Sequence, residues 1–83
     1  MSILPVSFIE EPLAVTVKTD ESSLTVELSD GRTISVPLVW FPRLFDASAE
    51  DRAEYELLGD GIGIHWPRID EDLSVAGLLR GTH

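Results

Sequence analysis

Three short runs between Leu13 and Trp40 alternate apolar and polar residues, and that period of two constrains the fold more than any other feature of the chain. In LAVTVKT, Leu13, Val15 and Val17 fall on one side and Ala14, Thr16 and Lys18 on the other, the pattern of a half-buried strand. DESS interrupts it, and SLTVELS resumes it with Leu24, Val26 and Leu28 inward and Thr25 and Glu27 outward. Asp30-Gly31 then suits a two-residue hairpin turn with positive φ. RTISVPLVW follows, setting Ile34, Val36, Leu38 and Trp40 against Thr33, Ser35, Pro37 and Val39. The prediction is a three-stranded antiparallel meander. Pro37 has no N–H to give a ladder, so the third strand lies at an edge or leaves the sheet there.

Beyond the meander the elements are short. Pro42 suits the first position of a helical turn in FPRLFDAS, with Leu44 and Phe45 supplying apolar contacts. Ser48 reads as the N-cap of a helix from about Ala49, with Glu50 and Asp51 complementing its dipole. Tyr55 to Leu58 fits either the last turn of that helix or a strand, and Gly59-Asp60-Gly61 is a turn in both cases. Ile62, Ile64 and Trp66 alternate with Gly63 and His65, which predicts a strand burying the two isoleucines and the tryptophan until Pro67 stops it. After IDED, the spacing of Val75, Leu78 and Leu79 predicts a helix with Ser74 or Asp72 as N-cap and Gly81 as its stop. Gly77 costs that helix up to about 1 kcal/mol relative to alanine, so it forms only by packing on the sheet. The expected fold class is α+β: the meander, a short helical region, a further strand or hairpin, and a C-terminal helix packed on the sheet. Residues 1–11 are expected to be a partly mobile N-terminal arm and residues 12–83 a single small domain.

At 83 residues such a domain buries about two-thirds or less of the surface its unfolded chain exposes, so each apolar run is needed in the core. Fifteen acids against six bases give a formal charge of −9, with acids all along the chain. No basic patch can be assembled without acids nearby, so phosphate gripping and direct nucleic-acid binding are disfavoured and a basic protein is the natural complement. The absence of cysteine removes disulfides and thiolate zinc sites and fits a reducing cytoplasm. The first twelve residues, broken by Pro5, Ser7, Glu10 and Glu11, read as neither a signal peptide nor a membrane span.

The densest polar cluster is His65, Asp70, Glu71 and Asp72. Alternation puts His65 on the face opposite Ile64 and Trp66, facing solvent or an interface, and a proline-containing turn separates it from Asp70. The bland reading, the polar end of a strand and the acidic start of a helix, is preferred. Hard cations could bind Asp70 and Asp72, but the spacing lacks the glycine and distal glutamate of a calcium loop. No serine sits in a strand-turn-helix elbow, and GDGIG lies between turn and strand rather than strand and helix, so it reads as a hairpin turn and not a phosphate loop. No cofactor is expected. Trp40 and Trp66 read as core or interface aromatics, and Arg43, Arg52 and Arg68 as solvated or paired with acids.

SDGRTISVPL, WFPRLFDASAEDRAEYELLGDG and above all IHWPRIDEDLSVAGLL resemble the small proteins classed as domain of unknown function 2442, over about residues 12 to 81. The resemblance implies a bacterial α+β domain, not known as an enzyme, with no catalytic residues to carry over. Members often stand beside a second small protein in an arrangement similar to a toxin and antitoxin pair. Some also carry a helix-turn-helix domain, for which a chain ending at His83 leaves no room.

Three functions are therefore in competition. The first is a non-enzymatic interaction module, antitoxin-like, that binds a basic small protein through exposed members of Trp40, Phe41, Phe45, Tyr55 and Trp66. The second is a metal-dependent or acid-base enzyme using His65, Asp70, Glu71 and Asp72. The third is a homodimeric regulatory domain that buries its apolar N-terminal arm between chains.

Overall fold

The computed structural model describes residues 12–81, so the arm at residues 1–11 lies outside the described residues. The meander is present as β1 (Ala14–Thr19), β2 (Ser23–Leu28) and β3 (Thr33–Pro37), in the order β1-β2-β3 with both pairings antiparallel. On β2 the expected inward residues Leu24, Val26 and Leu28 are buried.

On β1 the expected face is corrected. Ala14 pairs with Leu28 and Thr16 with Glu27, so Val15 is an extra residue, a β-bulge. An extra residue reverses the parity of everything before it. Ala14 and Val17 are buried together, while Val15 is 56% exposed.

The first turn is held by Asp20, whose Oδ1 accepts from the backbone N–H groups of Ser22 and Ser23, both at 2.8 Å. Those donors keep its carboxyl below the ordinary 3.8. The second turn has three residues rather than two: Gly31 N–H donates to Leu28 O and Leu28 N–H to Arg32 O. Asp30 keeps negative φ and only Gly31, at +93°, is left-handed, the type I turn with a glycine bulge.

β3 is an edge strand and also ends at Pro37. A 3-10 turn at Leu38–Trp40 follows, and its tighter winding keeps Leu38 buried but carries Trp40 out of the inward row to 36% exposure. Pro42 opens α1 (Pro42–Asp46), which buries Leu44 and leaves Phe45 at the surface, contrary to expectation. Ser48 caps α2 (Ala49–Ala53), its side chain accepting from Asp51 N–H at 3.1 Å.

The ambiguous segment is a strand, β4 (Glu56–Leu58), in a second antiparallel sheet of order β4-β5-β6 with β5 (Gly63–Trp66) and β6 (Glu71–Ser74). Ile62 was expected in the core but lies in the turn before β5, in helical conformation and 60% exposed. The acidic start of the last helix is corrected as well. Pro67 to Asp70 turn the chain back, so Glu71 and Asp72 belong to β6, and Ser74 caps α3 (Val75–Arg80) by accepting from Gly77 N–H at 2.9 Å. Val75 and Leu78 are buried and Leu79 is not. Gly81, at φ +79°, ends the helix.

Both sheets contribute to one core of Ala14, Val17, Leu24, Val26, Leu28, Val36, Leu38, Phe41, Leu44, Ile64, Trp66, Val75 and Leu78. Polar contacts also tie together the elements around that core. Trp66 Nε1–H donates to Arg52 O at 3.0 Å, and Val17 N–H, on the outer edge of β1, donates to the Tyr55 hydroxyl at 3.3 Å. No helix among the described residues is long and apolar enough to cross a membrane.

Candidate functional site

Alternation on the second sheet sends Ile64 and Trp66 into the core and leaves His65 on the opposite face. Because β5 is the central strand, that face presents a row across three strands: Glu56 on β4, His65 on β5 and Asp72 on β6 are directly opposite one another. The next row is Leu58, Gly63 and Ser74.

His65 Nδ1 donates to Asp72 Oδ1 at 2.5 Å. The Asp72 hydrogen bond raises the His65 pKa above its ordinary 6.5; partial burial opposes this, and the charges of Asp72, Glu56 and Asp70 add to the rise. The carboxylates around His65 thus favour its charged form relative to a free imidazole. The His65 side chain is 25% exposed and that of Asp72 is 67% exposed, so the pair is open to water.

The structure brings together only part of the predicted cluster. Asp70 sits in the β5–β6 turn with φ +54°, and its carbonyl accepts from Arg43 Nη1 at 2.9 Å. Among the described residues no three His, Asp or Glu side chains converge to hold a metal ion. Phe41 and Trp66 are buried and present no surface to a partner, whereas Tyr55 is partly buried against the core. Among the described residues Trp40 and Phe45 are the exposed aromatics.

Glu56 joins the row because residues 56–58 form a strand rather than the last turn of a helix. Arg43 is exposed, as expected of a solvated arginine, whereas Arg52 departs from that expectation: it is 8% exposed and directs Nη1 at the carbonyls of Leu44 and Ala47. Its Nε is buried without a hydrogen-bond partner. Arg68 does pair as expected, with Asp51 and Glu54.

Two surface grooves flank the sheets. One, of about 780 Å³, runs between the β1–β2 turn and α2; the other, of about 530 Å³, separates Trp40, Phe41 and Pro42 from β6 and α3. Asp72 lines the second groove and His65 lines neither. A histidine–carboxylate pair open to water can exchange protons or meet a charged partner, and its own chemistry goes no further.

No curated protein matches the chain. A crystal structure of a protein of unknown function from Rhodospirillum rubrum ATCC 11170 is similar, with 35% identity, a TM-score of 0.77, and coverage of 88% of this chain and 90% of that one. Residues 12–83 match the family model described as protein of unknown function (DUF2442). With residues 12–83 matched, this α+β chain of two small antiparallel sheets and a capped C-terminal helix belongs to the DUF2442 family.

Proposed function

We propose that this chain is a non-enzymatic, cytoplasmic protein-interaction module whose acidic surface binds a basic small protein, in the manner of an antitoxin. The observation that carries the reading is the use of its cations. Arg32 is paired with Asp30 and Arg68 with Asp51 and Glu54, while Arg43 and Arg52 face backbone carbonyls. Asp46, Glu50, Glu56 and Asp60 are exposed and make no ion pair among the described residues, so these carboxylates are displayed rather than neutralised. A surface of one sign accelerates encounter with a partner of the other and repels copies of itself.

Affinity purification from the native host at low salt, with mass spectrometry and a salt titration, tests this. One stoichiometric basic protein, released as salt rises, is the expected result. Recovery of the chain alone, or only with itself, would reject the reading and favour the homodimeric alternative.

The His65–Asp72 contact favours a second reading, acid-base chemistry at that pair with Asp70 nearby. It requires a turnover that His65→Gln abolishes without loss of fold, and a ligand screen in which the variant and the parent behave alike would remove it.

A further inference from the structure

We infer that the outer edge of β6 is the docking strand of this module, and that an extended segment of the partner alternating basic and apolar residues adds to the second sheet there. The inference rests on the interaction-module reading and names its surface. Val75 N–H donates to Ile62 O at 3.0 Å, which sets the register of hydrogen bonding along the β5–β6 hairpin. By antiparallel alternation the bonded pairs are then Ile64 with Leu73 and Trp66 with Glu71. The backbone groups of Asp72, and the N–H of Ser74, therefore point away from β5. No strand among the described residues pairs with that edge.

The edge faces a groove. Glu71, Asp72 and Ser74 line one wall and Trp40 and Pro42 the other, and Arg80 of α3 lines the groove too, so acids outnumber bases there by two to one. Arg43, donating to the Asp70 carbonyl, ties α1 to the β5–β6 turn and holds the two walls at a set separation at that end. A strand added here would have its main chain recognised by β6 and one row of its side chains by Trp40, which is 36% exposed.

Charge decides the occupant. A second copy pairing antiparallel through the same edge would set its Glu71 and Asp72 against these two, like charges at direct or diagonal positions on chains of −9. A basic strand meets the opposite situation. Its residue opposite Asp72 would extend the row Glu56, His65, Asp72 with a cation beside a carboxylate that is bonded to His65 through Oδ1 and remains 67% exposed. Its residue opposite Leu73 would point to the inner face, toward Trp40 and Leu78. The acids thus block self-pairing at this edge and admit a basic, alternating segment.

The test titrates the full chain with a nine-residue peptide of alternating lysine and valine, and with its glutamate-valine analogue, observed by amide NMR. The lysine peptide is expected to shift the Asp72 and Ser74 amides and slow their exchange with solvent, while the glutamate analogue does neither. Asp72→Pro deletes an N–H that faces only outward, so it should bind the peptide at least tenfold more weakly than Asp72→Ala, which keeps that N–H. Trp40→Ala should weaken binding severalfold without touching the ladder, and it decides the matter if the proline variant does not fold. Unchanged exchange at Asp72 and Ser74, equal affinity of the proline and alanine variants, or no binding would overturn the proposal. A basic protein recovered from the host but mapping to another face would overturn the groove while leaving the module. Concentration-dependent self-association that protects these two amides would give the edge to a second copy.

Discussion

Gly61 and Gly31 offer a paired perturbation that separates the cost of a backbone conformation from the cost of a contact. Both have positive φ, +116° and +93°, so alanine at either is strained by about 1–2 kcal/mol. Around Gly31 nothing lies within 4 Å of an added Cβ. At Gly61 the same atom would lie 2.5 Å from Ala14 O and 2.9 Å from Ala14 N, where ordinary contact begins at 3.4 Å. The obstacle is main chain at the β1 bulge, tied by the pairing of Ala14 with Leu28, and it cannot swing aside like the end of a side chain. Displacing packed structure by such an overlap costs about 1–3 kcal/mol in addition. Gly61→Ala should therefore lose about 2–5 kcal/mol and Gly31→Ala about 1–2 kcal/mol, from a domain whose total is about 4–12 kcal/mol. Urea denaturation of both variants measures the difference. Midpoints that agree to within about 0.5 kcal/mol of stability would refute the close approach of Gly61 to β1.

Three further outcomes follow from the described contacts. Ser74→Ala should lower stability by about 0.5–2 kcal/mol, whereas Asp72→Ala should leave the helix start intact, and chemical denaturation showing the reverse would put the cap at Asp72. Trp66→Phe removes the only donor that the structure gives the Arg52 carbonyl from this side chain and a little core volume, for a loss of about 1–3 kcal/mol; undiminished stability would show that bond to be worthless. For His65, whose folded pKa is raised above 6.5, the stabilisation from Asp72 is complete below 6.5 and is lost as pH rises through the folded value. NMR titration should place His65 above 6.5 in the parent and lower in Asp72→Asn, and the parent's stability advantage over His65→Gln should shrink toward alkaline pH. A titration at or below 6.5 would contradict the geometry.

Much of this was readable along the chain where the interactions are local. Ser48 at the start of α2, Pro42 at the start of α1, Gly81 after α3 and the inward row of β2 depend on neighbours a few residues away, and each stands as the pattern predicts. The misreadings have a common cause. Val15, Ile62 and Trp40 belong to apolar alternations that a bulge or a 3-10 turn interrupts, and nothing local marks where the period slips.

The sequence by itself determined the meander, the Ser48 cap and the charge, because hydrophobic period, helix-end chemistry and acid count need no knowledge of distant residues, while the structure chose Ser74 over Asp72 as the cap of α3. Tertiary structure decided the site. Glu71 and Asp72 carry no strand pattern of their own and become β6 only because the Pro67–Asp70 turn lays them on β5, which places Asp72 against His65 and Glu56 in line with both. Arg52 likewise looks like any surface arginine until Trp66 and the end of α1 close over it, since burial is a property of what packs around a residue and not of the residue.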